Sequence, residues 1–148
     1  MKFVYIANLR LPTEKAYGIQ IVKMCEAFAN QRTEVVLIFP DRKNSDIKSD
    51  IFDYYFVRRN FKFKKIQAQD FYWPGFLDKI SFFIKNYFSA KALVEEALKE
   101  NADIYYTRDE RIAYILNKEK RQEDTIIHCM KVAFHLFSWM LLERNVML

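Results

Sequence analysis

Two periods of hydrophobic and polar positions alternate along the chain. Phe3 to Ala7 is a continuous apolar run, as expected of a strand buried on both faces. From Ile19 onward Ile21, Val22, Cys25, Phe28 and Ala29 keep a helical stripe, with Lys23, Glu26, Asn30 and Gln31 between them. The polar stretch Asn8 to Gly18 separates the two and reads as a loop, with the helix entered at Gly18. That helix should stop near Arg32. No glycine is available there, so Arg32 or Thr33 must take any left-handed position, at a cost of ~1 kcal/mol.

Glu34 to Phe39 (EVVLIF) is short and β-branched, hence a second strand, closed by Pro40. Asp41 to Asp50 is a polar loop, and Asp50 to Val57 a short helix capped by Asp50. Phe61, Phe63 and Lys65 alternate with Lys62, Lys64 and Ile66, giving a weak third strand. Phe71 to Gly75 (FYWPG) is a turn. Phe76, Leu77, Ile80, Phe83, Ile84, Tyr87 and Phe88 then share one helical face, extended by Ala90, Leu93, Val94, Ala97 and Leu98. This is one long amphipathic helix, or two with a bend near Ser89. A fourth strand follows over Asp103 to Thr107, a helix over Arg111 to Lys118, a fifth strand over Thr125 to Cys129, and a last apolar helical segment over Val132 to Leu142. Alternating strand and helix predicts an α/β fold: a Rossmann-like three-layer domain with a mostly parallel sheet. No repeat or linker divides residues 1–148 into a second domain.

Composition narrows the function classes. At 51% hydrophobic and 29% charged the chain is an ordinary globular one rather than a disordered one. A net charge of +5 suits an acidic partner, whether nucleic acid, a nucleotide-linked substrate or an anionic membrane, and equally fits a solvated surface. Arg58, Arg59, Lys62, Lys64 and Lys65, interleaved with aromatics, form either a basic binding surface or the polar face of an edge strand. The aromatic face from Phe76 to Phe88 serves either as core or as a membrane-docking surface. Cys25 and Cys129 make no disulfide framework, and Cys25 falls on the apolar face of the first helix as a buried thiol. C-x-x-C and H-E-x-x-H are absent, so no metal site is expected. No stretch is long enough to span a bilayer, and the N-terminal apolar run is too short for a signal sequence, so a cytoplasmic location is expected.

The G-x-G-x-x-G and G-x-x-x-x-G-K-[ST] fingerprints are missing, which disfavours ordinary NAD and P-loop binding. Glu14, Lys15 and Gly18 remain, just ahead of a helix. Lys15 can pair with a phosphate and Gly18 let the backbone approach it; alternatively Gly18 starts the helix and Lys15 is solvated. His128, at the carboxyl end of the fifth strand, stands at a catalytic location for this architecture or is a satisfied core residue. Arg108, just past the fourth strand, is an anion-binding candidate on the same rim, and Asp109 or Glu110 can cap the following helix.

KFVYIANLRLPTEKAYGIQIVKMCEAFANQ followed by EVVLIFPDRKN resembles the N-terminal half of GT-B glycosyltransferases of the family-4 type. DIFDYY, NFKFKKI and ADIYYTRDE fit the same half, and the likeness runs from Met1 to about Ala113. The resemblance implies two Rossmann-like domains facing a cleft, the N-terminal one holding the acceptor and the C-terminal one the nucleotide-sugar donor. It implies sugar transfer with retention and neither cofactor nor metal. The expected partners are a nucleotide-sugar, a glycan or lipid-linked acceptor, a separate C-terminal donor domain, and the inner membrane surface as a peripheral contact; no nucleic acid is expected. The loop after the first strand would face the cleft. The positions carried over from the family are Lys15, Gly18 and Gln20; with Asn8, Glu14 and Arg108 they make up the substrate-binding candidates, and the catalytic candidate is His128.

The chain also departs from the family. The donor domain is missing from the 148 residues, as in a truncated copy expected to be inactive alone. An E-x-H-like motif is replaced by IIHCMKVAFH, and positions the family fills with glycine hold Arg32 and Phe56.

Overall fold

The computed structural model describes residues 1–42, 47, 49–67, 78–119 and 126–129. The elements are β1 (Lys2–Ile6), α1 (Ala16–Asn30), β2 (Glu34–Asp41), α2 (Ile51–Tyr55), β3 (Lys62–Gln67), α3 (Asp78–Leu98), β4 (Ile104–Thr107), α4 (Glu110–Glu119) and β5 (Ile126–Cys129). All strand pairs are parallel, in the order β3-β2-β1-β4-β5. The turn expected at Phe71 to Gly75 and the helix expected over Val132 to Leu142 lie outside the described residues.

Parallel pairing requires a crossover after every strand, and the helices supply it on both faces. Alternate residues of β1 and β2 divide between two cores. Phe3, Tyr5, Val35, Leu37 and Phe39 pack with Ile21, Val22 and Cys25 of α1 and with α2. Val4, Ile6, Val36 and Ile38 pack with Leu93 and Val94 of α3 and Ile112 and Leu116 of α4. This two-sided burial is why β1 and β2 read as unbroken apolar runs. The sheet is therefore the middle layer of a Rossmann-like three-layer α/β fold.

Several boundaries differ from the sequence reading, each for a local reason. The first helix begins at Ala16 rather than Gly18, because Lys15 already takes the extended cap conformation and its carbonyl accepts from the Gly18 amide at 2.9 Å. Pro40 lies inside β2 rather than closing it. The pairing of β1 with β2 ends at Ile6 with Ile38, while β3 pairs on to Asp41, so the missing N–H of Pro40 interrupts no bond to β1. No bend occurs at Ser89, and α3 runs unbroken through it. The helix after β4 starts one residue early, at Glu110, because Asp109 caps it.

Among the described strands β3 is an edge, and two of its basic residues, Lys62 and Lys64, are answered locally. Lys62 pairs with Glu34 at 3.1 Å, Lys64 with Glu96 at 3.0 Å and also with Glu100, and nearby Arg59 with Asp53 at 2.9 Å. No helix among the described residues is long and apolar enough to cross a membrane.

Candidate functional site

After β1 the chain enters α1 on one face of the sheet; after β4 it enters α4 on the other. The two adjacent strands thus send their loops apart, the topological switch point at which open α/β sheets bind ligands. A cleft of about 520 Å³ lies there, lined by Tyr5, Asn8, Leu9 and Tyr17 on the β1 and α1 side and by Arg108 and Asp109 on the β4 side.

Asn8 holds this rim together. Its Oδ1 accepts from Arg42 Nη2 and from Ser89 Oγ, each at 3.1 Å, and its Nδ2 donates to Asp109 Oδ2 at 3.4 Å. One side chain thereby ties the end of β1 to the ends of β2 and β4 and to α3. Asp109 is doubly used, since its Oδ1 also accepts from the Arg111 amide at 2.9 Å as the cap of α4. Arg108 reaches across the cleft mouth and donates from Nη1 to Gln20 Oε1 at 2.7 Å. Gln20 is neutral, so this bond orients the guanidinium without cancelling its charge.

The loop before α1 is fixed from below by Tyr55. The Thr13 amide donates to the Tyr55 hydroxyl, which donates to the Thr13 carbonyl, both at 2.7 Å. Gly18 packs over this pair: a Cβ there would overlap the hydroxyl and lie 2.6 Å from Thr13 Cγ2. The glycine is thus explained by close packing, and its amide is already spent inside the helix. Just before Thr13 in the loop, the Leu11–Pro12 peptide bond is cis.

The candidates therefore separate. Asn8 lines the cleft, and Gln20 and Arg108 meet at its mouth. Glu14 and Lys15 are exposed at the entry to α1, Glu14 facing Arg10 at 3.8 Å and the Lys15 ammonium lying 6.0 Å from the Tyr17 ring. The backbone of His128 lies opposite Tyr106 in the β4–β5 ladder, one residue short of the strand end. It shares the carboxyl rim with Arg108 and the β1 loop, and its side chain lies outside the described residues.

Two contributors escaped the sequence reading. Arg42 directly follows β2 and grips Asn8, and its Nε is buried without a hydrogen-bond partner among the described residues. Tyr5 is 1% exposed in the cleft floor, and its hydroxyl is likewise unpartnered. Such a buried orphan donor costs about 1–3 kcal/mol. Burial chiefly, with a smaller push from Tyr106 and against the pull of Arg108, raises the Tyr5 phenol well above its ordinary value, so it is neutral. Cys25, fully buried on the inner face of α1, has its thiol raised by burial as well and packs as an apolar residue. The signal for Arg42 was its place at a strand's carboxyl end; for Tyr5 there was none, because a tyrosine inside an apolar run looks like core.

Compared with protein-family models and with curated proteins, the sequence matches none.

Proposed function

We propose that this chain is the acceptor-side domain of a GT-B sugar transferase, supplying one wall of a cleft that a donor-binding domain closes. The observation that carries the reading is the cleft at the β1–β4 switch point, with Arg108 held over its mouth by a neutral partner. In this reading Arg108 supplies positive charge to an anionic substrate group, and Asn8 acts as a positioning residue that keeps Asp109 and Arg42 in register. Leu9 and Tyr17 give the cleft an apolar wall against which a sugar ring packs. Transfer would require the opposite wall, so the 148 residues alone would turn over no nucleotide-sugar. The test is amide NMR of the chain with UDP-glucose and with short oligosaccharides, followed by a turnover assay. Shifts confined to residues 8–17 and 108–111, without turnover, support the reading. Shifts elsewhere, or sugar transfer by the chain alone, overturn it.

A second reading, a membrane-docking module, is favoured by one observation. Ile84, Tyr87 and Phe88, at helical spacing on α3, are 49%, 50% and 60% exposed. The ion pairs of Lys62, Lys64 and Arg59 leave the basic segment on which this reading also draws less available. Co-sedimentation with anionic liposomes that is lost in Tyr87→Ser/Phe88→Ser would select this reading; no sedimentation would remove it.

A further inference from the structure

We propose that Gln20 and Arg108 together form a receptor for a phosphate monoester at the mouth of the cleft, with the organic part of the ligand resting on the ring of Tyr17. This rests on the reading of the cleft as a sugar site and adds the group by which its ligand is recognised.

The two side chains come from different elements, α1 and the turn after β4, and meet at 2.7 Å. Both are accessible, Gln20 being exposed and Arg108 half-buried. Their bond fixes more than the guanidinium. Gln20 Oε1 accepts from Arg108 Nη1, and the two Nε2 donors sit on the carbon that carries Oε1, with no partner among the described residues. The bond occupies Nη1 alone, so most of the five-donor fork of Arg108 is left over. One small patch thus presents N–H groups from two separate planes within reach of a single oxyanion. A carboxylate has two oxygens in one plane, which a guanidinium satisfies by itself. A phosphate monoester presents three acceptor oxygens around a tetrahedral centre, and so uses the second plane of donors that Gln20 adds.

Net charge does not make this choice. The lining sets Arg108 and Arg111 against Asp109 and Glu110, a balance of signs that draws in no anion by its field alone. Asp109 is also engaged by Asn8 and by the Arg111 amide. Selection therefore lies in directed donors. A glutamate at position 20 would hold Arg108 through a stronger, charge-assisted bond. Glutamine keeps the contact, leaves the positive charge uncancelled and supplies donors in place of acceptors. Tyr17 precedes Gln20 by three residues on α1, which puts their Cβ atoms about 5–6 Å apart on one helical face. Its ring is 37% exposed and lines the cleft, so a ring bonded to the phosphate falls against it.

The probes are glucose 1-phosphate, glucuronate, glucose and inorganic phosphate, titrated by amide NMR. Glucose 1-phosphate should bind about tenfold or more tighter than glucose or glucuronate, with shifts at residues 17, 20 and 108. Gln20→Ala should weaken it about tenfold. Gln20→Glu should bring it down to the level of glucose without lowering Tm, because the tie to Arg108 is kept. Tyr17→Ala should weaken glucose 1-phosphate and leave inorganic phosphate unaffected.

If Gln20→Ala binds glucose 1-phosphate as wild type does, Gln20 is only a tie across the mouth and the inference is wrong. If glucuronate binds as tightly as glucose 1-phosphate, the selection of phosphate is wrong. If glucose alone binds as tightly, the oxyanion receptor is wrong while the cleft remains a sugar site. If no probe shifts the cleft amides, the underlying reading of the cleft falls as well.

Discussion

A Cβ added at Gly18 would overlap the Tyr55 hydroxyl and crowd Thr13, which is 2% exposed. Gly18→Ala should therefore destabilise the chain by roughly 1–3 kcal/mol. Tyr55→Phe should cost a similar ~1–3 kcal/mol by orphaning the buried Thr13 amide. The double variant should lose less than the sum, because removing the hydroxyl makes room for the methyl; chemical denaturation of all four proteins measures that coupling. The opposite substitution is informative elsewhere. Arg32 and Phe56 end α1 and α2 with φ of 60° and 51°, a region that disfavours residues bearing a Cβ. Phe56 is 88% exposed and buries nothing there. Phe56→Gly and Arg32→Gly should each stabilise by about 0.5–1 kcal/mol, seen as a rise in Tm. The two sites where the sequence lacked an expected glycine are thus both left-handed, as is Asn101 after α3.

The helix α3 shows how a single amphipathic stripe can serve two environments. Its apolar positions from Ile84 to Leu98 share one spacing, so the sequence reads them as one face. Ser89 is level with Asn8, just past the end of β1, so the preceding turns extend beyond that strand. Below that level Leu93 is fully buried; above it Phe88 is 60% exposed. Leu93→Ala should cost about 2–5 kcal/mol and Phe88→Ala less than about 0.5 kcal/mol, by urea unfolding. Periodicity could place the stripe but not the height at which the sheet runs out, since that depends on the register of β1 against a helix more than seventy residues away in sequence. The element types of the described residues, by contrast, were legible, because buried parallel strands and amphipathic helices leave different periods. The shift of α1 from Gly18 to Ala16 came from reading glycine as punctuation when its role was to admit a neighbour.

At the scale of the molecule, Glu100 joins the two sides of β2. It pairs with Lys2 of β1 at 2.7 Å and with Lys64 of β3. Its hydrogen bond from Lys2, then that from Lys64, holds its carboxyl below the usual 4.5. A depressed carboxylate contributes stability that is complete above about pH 4.5 and disappears as pH falls through the lowered value. The wild-type Tm should therefore drop on acidification from pH 6 to 3. Glu100→Gln should start lower and drop less over the same window. Of the candidate site, the positions of Asn8 and Arg108 on the cleft were legible because the rule that ligands gather at strand carboxyl ends needs only the element order, whereas Gln20 came from the family resemblance. Tyr5 and Arg42 were not, because their significance lies in unfilled hydrogen bonds, which depend on three-dimensional neighbours.

The central position of β1 has a consequence for synthesis. Although the strand is made first and gains β2 within some thirty residues, its other edge pairs with Ile104 to Thr107. A nascent chain emerging from the ribosome must therefore carry Val4 and Ile6 on a strand with one free edge until most of the described polypeptide has been translated. Contacts of such long sequence separation close slowly, and a ribosome-stalled chain ending before Ile104 should engage a holding chaperone that one extended beyond β4 escapes.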